Sequence, residues 1–466
     1  MDPSLPILEP LAWVDPGDAF RCLAGGHRPP RGIVFLDSAG PVRDLSRWSI
    51  LAADSFDVIE DPADPFGAIE SALADHRAEP GTVPFAGGGA IGLLGYGLRH
   101  HLERLPRRHP AASEPDLWLG LYDALAIFDR GTRRAWIAST GLPERRDRAA
   151  RARRAVARAA WLRSLLAPAA GSRPDRAGGD PDPAPLPSRD TLPPGARVSM
   201  TPAAWSCAVE QARSLIRAGD IYQANLSYRV EVPCPLAPPD LYRRLRAISP
   251  APFGAYLDPG PFQVLCNSPE RFLLHERGRI ETRPIKGTRP RRADPDEDRR
   301  EAQALLASEK DRAEHLMIVD LERSDLGRVA RPGSVHVERL AALERYANVH
   351  HLVSVVSAEL RPGAGPVDAL RACFPGGSIT GAPKIRAMEV IEALEEGPRG
   401  VYTGAVGGID FSGRMDLSIA IRTAILRDGV ASFHVGGGIV ADSKPDLEYL
   451  ETVTKAEALC RALTVP

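Results

Sequence analysis

Apolar side chains recur every three or four residues in several stretches of the second half of the chain, as they do on one face of an α-helix. Residues 202–218 show this spacing and are followed by Gly219, a typical helix stop. The recurring positions are Trp205, Val209, Ala212, Leu215 and Ile216. The same spacing predicts further helices over residues 310–328, 384–396 and 445–461.

Stretches rich in β-branched and aromatic residues predict strands in the same half. These stretches are residues 222–232, 261–266, 271–275, 401–411, 416–427 and 430–440. Short turns at 411–414 and 427–429 separate successive strands. Because tight turns connect antiparallel neighbours and parallel strands need a longer crossover, the pattern predicts helices combined with antiparallel sheets.

A change of composition divides the chain. Residues 144–166 are rich in Ala, Arg and Leu and predict a helix. Its arginines predict a solvated face, with an RNA-binding arm as the weaker alternative. Residues 167–197 are dense in Pro, Gly and Asp, and such a stretch buries too little apolar surface to offset the entropy of ordering it. We therefore expect a flexible linker over 167–197, between an N-terminal segment (1–166) and a C-terminal segment (198–466).

Composition and charge exclude several classes of protein. The chain has 466 residues, of which 44% are hydrophobic, and a net charge of −1, which excludes a globally basic nucleic-acid binder. No apolar run reaches the ~18–20 residues of a membrane span, and the first residues lack a signal-peptide pattern. The six cysteines include no Cys-x-x-Cys pair, which argues against a zinc ribbon and a disulfide scaffold. We expect a cytoplasmic protein that binds neither nucleic acid nor membranes.

Two glycine-rich stretches could bind an anion through backbone N–H groups. Residues 87–92 match G-x-G-x-x-G, but a dinucleotide site also needs a helix directly after the glycines, and the following residues are too rich in glycine for one. We predict a glycine-rich hairpin in an N-terminal sheet instead. Residues 436–438 follow an apolar strand and could either face an anion or form a simple turn.

Two of the predicted helices carry carboxylates on one face. Asp311 and Glu314 are three residues apart, whereas Glu448, Glu451 and Lys455 fall at positions i, i+3 and i+7. Two such helices could hold Mg²⁺, which accepts one or two carboxylates together with water and substrate oxygens. Ordinary surface ion pairs would explain either helix alone.

Lys286 lies in the unusually basic stretch ETRPIKGTRPRR. Neighbouring cations and burial would both lower the pKa of its ammonium group and make its amine a nucleophile, whereas an exposed, charged lysine is the alternative. Glu270 could lie opposite Lys286 on a neighbouring short strand. It would then be a proton donor and acceptor for the amine, or would form a salt bridge with an arginine.

A series of longer motifs follows one order between about Gly219 and Ala458. They are GDIYQANLS, SPERF, PIKGTRPR, EKDRAEHLMIVDLERSDLGR, FPGGSITGAPKIRAMEVIEALE, RGVYTGAVGGID, AIRTAIL and VGGGIVADSKPDLEYLET. The series resembles the chorismate-utilising enzymes, which include the anthranilate, aminodeoxychorismate and isochorismate synthases. The N-terminal segment resembles them only through FLDSA and GGGAIGLLGY. The resemblance implies an α+β fold in which two antiparallel sheets pack face to face, with helices outside and the active site in the crevice between the sheets.

The resemblance also implies roles for individual residues. Glu270 matches the general acid/base and Lys286 the nucleophile, and Glu314 and Glu451 match the Mg²⁺ ligands, with Glu448 and Asp311 in support. The remaining matched positions bind chorismate: Gln223, His351, Ser378, Tyr402, Arg422, Gly436, Gly438 and Lys455. Of these, Tyr402 and Arg422 match contacts to the enolpyruvyl carboxylate, and Gly436 and Gly438 would offer N–H groups to a carboxylate. Ser324 departs from the asparagine that is usual in the family.

Two positions favour one branch of the family. Isochorismate synthases carry a lysine where Gln223 stands, and use it to activate water, which a glutamine cannot do. Lys286 gives the motif PIKGT, which resembles the aminodeoxychorismate synthases, whereas anthranilate synthases typically have alanine there. The resemblance implies that Lys286 forms an adduct with chorismate before ammonia displaces it, which yields 4-amino-4-deoxychorismate for p-aminobenzoate and folate.

Anthranilate synthesis, in which chorismate gives anthranilate and pyruvate, is the alternative activity. For either reaction the resemblance implies that ammonia comes from a separate glutamine amidotransferase subunit.

Overall fold

The structure, a computed structural model, describes residues 5–26, 28–40, 44–171, 192–193, 195–346 and 349–464. Within these residues the chain forms ten α-helices and two sheets. The helices are α1 (Pro16–Ala24), α2 (Pro65–Asp75), α3 (Arg148–Gly171), α4 (Pro202–Arg217), α5 (Pro238–Ile248), α6 (Pro295–Ala307), α7 (Glu309–Gly327), α8 (Pro366–Cys373), α9 (Lys384–Leu394) and α10 (Pro445–Leu463). None of them, in the described parts of the chain, combines the length and apolar character needed to cross a membrane.

The strands are distributed along the whole described chain. They are β1 (Ile7–Leu11), β2 (Val34–Asp37), β3 (Trp48–Ala52), β4 (Asp57–Glu60), β5 (Gly89–Leu94), β6 (Leu117–Tyr122), β7 (Ala124–Asp129), β8 (Arg134–Ser139), β9 (Arg197–Val198), β10 (Gln223–Pro233), β11 (Phe253–Leu257), β12 (Gln263–Ser268), β13 (Arg271–Glu276), β14 (Arg279–Thr282), β15 (Ile285–Pro290), β16 (His336–Arg345), β17 (Val349–Glu359), β18 (Gly381–Ala382), β19 (Ala405–Asp410), β20 (Met415–Ile419), β21 (Thr423–Arg427) and β22 (Val430–Ile439).

The strands form two antiparallel sheets. Sheet A has twelve strands in the order β1-β8-β7-β3-β2-β11-β12-β21-β22-β10-β18, with β9 beside β10. Sheet B has ten strands in the order β15-β17-β14-β13-β20-β19-β5-β6-β4, with β16 beside β17. Each sheet includes strands from before and after residues 167–197, so the two predicted segments share both sheets.

Three apolar clusters hold the layers together. One lies between the sheets and joins side chains of sheet A, such as Ile127 and Val264, to side chains of sheet B, such as Leu93 and Val406. The second packs α1, α3, α4, α5, α9 and α10 on the outer face of sheet A, and the third packs α2, α7 and α8 on sheet B. This arrangement confirms the predicted α+β fold of two facing antiparallel sheets with outer helices.

The apolar stretch 416–427, predicted as one strand, forms two. β20 belongs to sheet B and β21 to sheet A, so the chain crosses between the sheets at residues 420–422. Arg422 at this crossing has a φ of +51°, in the left-handed region. The prediction of a single strand is wrong because both halves are buried, and burial on each side of the crossing gives one continuous apolar pattern.

The glycine-rich stretch at 87–92 runs into β5, whose neighbours are β6 and β19. A Cβ at Gly92 would lie 1.9 Å from the carbonyl oxygen of Trp118, so this glycine permits the close approach of β6. The predicted hairpin in an N-terminal sheet is wrong, because no tight turn joins β5 to either neighbour and β19 comes from the C-terminal segment.

Three arginines of α3 face the protein. Arg151 Nε donates to the carbonyl oxygen of Thr140 at 2.9 Å, Arg154 Nε donates to that of Leu142 at 2.7 Å, and Arg158 pairs with the buried carboxylate of Asp123. The predicted solvated face is therefore wrong for these three side chains, since buried acceptors beside β8 need donors. The helix ends at Gly171, inside the predicted linker, and residues 172–191 and 194 lie outside the described residues.

Candidate active site

Lys286 and Glu270 meet in the crevice between the sheets. Lys286 lies near the start of β15 in sheet B, and Glu270 lies between β12 of sheet A and β13 of sheet B. The backbone N–H of Ile285 donates to Glu270 Oε1 at 3.2 Å, which holds the carboxyl group beside the residue that precedes Lys286. Lys286 Nζ donates to the carbonyl oxygen of Ser378 at 2.9 Å. The two residues that the sequence paired are therefore neighbours.

The environment of this pair favours its uncharged forms. Burial raises the pKa of the Glu270 carboxyl group and lowers the pKa of the Lys286 ammonium group, and the attraction between the two charges opposes both shifts only in part. A protonated carboxyl group beside a neutral amine offers a proton donor and a nucleophile in one place.

Several buried polar groups around Lys286 have no hydrogen-bond partner among the described residues. They are both amide atoms of Gln223, Nε2 of His351 and Oγ of Ser378, the last of which lies near the Glu270 carboxyl group without forming a well-aligned hydrogen bond. A Cβ at Gly438 would lie 3.0 Å from Gln223 Nε2 and 3.5 Å from Lys286 Nζ, so the glycine lets both side chains approach the backbone of β22. Since buried polar groups in proteins are normally paired, these atoms indicate a place for a polar ligand.

His351 enters the site as a neutral imidazole. Its Nδ1 lies 2.9 Å from Thr288 Oγ1, and burial lowers its pKa to about 3. The unpaired Nε2 is therefore available to a ligand without adding a positive charge to the site.

The backbone of β22 presents Gly436 and Gly438 to the crevice. The N–H groups of Ser227 and Asn225, their partners on β10, donate elsewhere, to Glu395 Oε1 and to the carbonyl oxygen of Thr380, each at 2.8 Å. These are therefore non-hydrogen-bonded pairs, and the N–H and C=O groups of both glycines point away from β10. The neighbour on that side, β21, pairs only with residues 430–433 of β22. Both glycine N–H groups thus face an open edge, as an anion would require.

Cationic and phenolic side chains complete this part of the site. The Arg422 guanidinium forms no hydrogen bond or ion pair with any described residue, and burial lowers its pKa while the charge of Glu270 opposes the shift. Tyr402 stacks on His434 with ring centres 5.1 Å apart. Lys455 Nζ donates to the carbonyl oxygen of Gly436 at 2.9 Å and pairs with Glu451 at 2.8 Å. With 39% of its side chain exposed, Lys455 lies at the open side of the crevice.

Glu314 on α7 and Glu448 on α10 stand close enough to repel each other. Burial raises the pKa of both carboxyl groups, and neighbouring carboxylates raise each further, Asp311 and then Glu448 for Glu314, and Glu451 for Glu448. The ion pair with Lys455 instead lowers the pKa of Glu451. Asp311, expected in a supporting role, is paired with Arg289 at 2.9 Å.

This donor set fits a hard divalent cation that keeps other ligands. A cation would relieve the repulsion between Glu314 and Glu448, and the donors are all oxygen atoms. Within the described residues no three His, Cys, Asp or Glu side chains form a complete metal cage. Mg²⁺ needs only one or two protein carboxylates and takes its other oxygens from water and substrate.

Three further residues near the site, to which the sequence assigned no role, are candidates for a function. Asn225 lies two residues after Gln223 on β10 and has a buried, unpaired Nδ2, and the period-two alternation of a strand could have indicated it. Glu322 continues the face of Glu314 and Ile318 along α7 at four-residue spacing. Lys384 lies in the SITGAPK motif that the resemblance included, although no role was assigned to it.

Comparisons with known proteins extend over most of the chain. The sequence model of the chorismate binding enzyme family matches residues 38–461. Anthranilate synthase component 1 of Streptomyces coelicolor is 41% identical over 453 residues, which cover 97% of this chain and 86% of that protein. Aminodeoxychorismate synthase component 1 of Klebsiella aerogenes is 41% identical over 405 residues, 86% of this chain and 83% of that protein.

A solved structure agrees with both matches. Anthranilate synthase component I of Streptococcus pneumoniae superimposes with a TM-score of 0.74 at 33% identity, and the match covers 90% of this chain and 93% of that one. The similarity therefore includes proteins named for two different reactions.

Proposed function

We propose, from the fact that this chain belongs to the chorismate binding enzyme family, that it aminates chorismate at C4 as component I of an aminodeoxychorismate synthase. The observation that carries the choice is Lys286, whose amine lies in the crevice beside a buried carboxyl group. A nucleophilic amine is needed for the adduct route to C4, whereas the anthranilate synthases typically have alanine at this position.

The proposed reaction begins with the neutral amine. Lys286 Nζ attacks C2 of the chorismate ring, both conjugated ring double bonds shift towards C4, and the C4–O bond breaks as Glu270 donates a proton to the departing hydroxyl group, which leaves as water. Ammonia then attacks C4, both ring double bonds shift back, and the C2–N bond to Lys286 breaks, so that the lysine leaves as a neutral amine. The Glu270 carboxylate takes the surplus proton from the new C4 ammonium group, so the pair returns to its starting state.

The other groups of the site suit the two carboxylates of chorismate. Arg422 and Tyr402 would bind the enolpyruvyl carboxylate, since a guanidinium offers two parallel donors to a carboxylate. The N–H groups of Gly436 and Gly438, with Lys455 beside them, add donors at the open edge of β22. Gln223, His351 and Ser378 would satisfy their unpaired atoms on the ring and its hydroxyl group.

Product analysis tests the proposal. The purified chain receives chorismate, Mg²⁺ and an ammonium salt, which replaces the glutamine amidotransferase subunit that we propose as the ammonia source in the cell. We expect p-aminobenzoate only after an aminodeoxychorismate lyase is added. Fluorescent anthranilate formed without the lyase would instead identify the alternative activity, and the absence of both products would reject the two reactions.

We further propose Mg²⁺ as the cofactor, bound by Glu314 and Glu451 with Glu448 beside them. Bound Mg²⁺ would neutralise the ring carboxylate of chorismate. Removal of divalent cations with EDTA should lower turnover by more than about 100-fold, and added Mg²⁺ should restore it.

Variants separate this metal requirement from general effects of chelation. Glu314→Gln should raise the Mg²⁺ concentration needed for half-maximal rate. Glu309→Gln, at an exposed position in the first turn of the same helix, should leave that concentration unchanged. Turnover that is indifferent to EDTA would reject the cation site.

A further inference from the structure

We infer that Lys384 and Glu322 are positioning residues that fix the segment 373–378, so that the carbonyl oxygen of Ser378 orients the amine of Lys286. The inference rests on the proposed function, because it takes Lys286 as the nucleophile. Neither residue makes a hydrogen bond with Lys286, and both act through the backbone of this segment.

Lys384 ties the start of the segment to α7. Its Nζ pairs with the carboxylate of Asp325 and donates to the carbonyl oxygens of Cys373 at 3.0 Å and Pro375 at 2.8 Å. The side chain is only 11% exposed. All three N–H donors of the ammonium group therefore have acceptors, one on α7 and two on the segment. The interaction is a buried connection between the helix and the segment and not a surface ion pair.

Glu322 ties the end of the segment to the same helix. Its Oε1 accepts a hydrogen bond from the backbone N–H of Gly377 at 3.0 Å, and the residue is 2% exposed. A Cβ at Gly377 would lie 2.8 Å from Leu321 Cδ2 and 3.0 Å from Glu322 Oε1, so the backbone rests directly on α7. Gly377 immediately precedes Ser378, and the carboxyl group therefore controls the position of the Ser378 carbonyl group.

The consequence concerns the direction of attack. A neutral amine has two N–H bonds and one lone pair, and when one N–H is held on the Ser378 oxygen the lone pair can take only a few directions. A displacement of about 1 Å in such an arrangement can cost about 100-fold in rate. The hydrogen bonds of Lys384 and Glu322 with the backbone of the segment prevent that displacement.

Replacement of Lys384 and of Glu322, one at a time, tests the inference. Lys384→Met keeps the aliphatic stem but loses all three donors, and Glu322→Leu leaves the Gly377 N–H without an acceptor. Each variant should lower kcat by about 10- to 100-fold, with the KM for chorismate within about threefold of the parent, because groups that bind the carboxylates are untouched. Glu322→Gln, which keeps an oxygen acceptor, should retain most of the parental kcat.

Hydrogen exchange of peptides that span residues 373–380 shows whether the segment has been released. Faster exchange there with an unchanged kcat would overturn the inference, as would a rise in KM with kcat unchanged. If Lys384→Met does not fold, the contrast between Glu322→Leu and Glu322→Gln decides alone, and equal kcat values for those two would overturn it. Lys286→Ala distinguishes failure of the proposed function from failure of the positioning role. Full turnover in that variant rejects the proposed function. An inactive Lys286→Ala together with unaffected Lys384 and Glu322 variants rejects only the positioning role.

Discussion

Replacement of Lys286 by alanine should lower the rate of 4-amino-4-deoxychorismate formation by about 10⁴-fold or more, because the adduct on C2 cannot form without the amine. Binding of chorismate should change little. The groups that we propose to bind its carboxylates, Arg422, Tyr402 and the N–H groups of β22, do not depend on the lysine. The loss should therefore fall on kcat, and a direct binding titration should give a Kd within a few-fold of the parent.

Lys444→Ala is the matched control, since this exposed lysine precedes α10 and its side chain makes no cap hydrogen bond. It should keep the parental rate. Anthranilate must be assayed alongside, because alanine at position 286 is the residue typical of anthranilate synthases. Unchanged C4 amination in Lys286→Ala would remove the amine from the mechanism and leave only the family assignment.

Local patterns along the chain were sufficient for much of the fold. The turns at 411–414 and 427–429 do join β19 to β20 and β21 to β22, and helices α4, α7, α9 and α10 begin and end within a few residues of their predicted bounds. These features depend on residues that are near in sequence. The split of 416–427 into two sheets depends instead on which distant strand each half meets, and no local pattern records that.

The candidate site likewise combines features that the sequence predicts with features that arise only from tertiary packing. Lys286 and Glu270 could be paired from the sequence because only two short strands, β13 and β14, separate them, and the order of motifs supplied the other matched positions. The hydrogen bond from Gly377 to Glu322 and the unpaired amide of Asn225 arise only from packing between distant segments. The arginines of α3 mislead for the same reason: their buried acceptors, such as Asp123, belong to another part of the chain.

Replacement of Glu270 by glutamine should lower kcat by about 10²- to 10⁴-fold, the range expected for the loss of a general acid. Glutamine keeps an oxygen where Glu270 Oε1 accepts the N–H of Ile285, so the fold and chorismate binding should survive. It cannot give a proton to the departing C4 hydroxyl group. Glu276→Gln, at the exposed end of β13, is the matched control and should behave as the parent.

The pH dependence identifies the role of Glu270 more sharply than the rate alone. In the parent, activity should rise with pH as the Lys286 ammonium group, with its lowered pKa, loses its proton, and should fall as the Glu270 carboxyl group, with its raised pKa, loses its own. In Glu270→Gln the alkaline fall should disappear. The acidic rise should remain near its parental position, because glutamine, like the protonated Glu270 carboxyl group of the active form, places no charge beside Lys286. A residual activity that keeps the alkaline fall would assign that proton to another group, and Glu270 would then serve only to hold the backbone before Lys286.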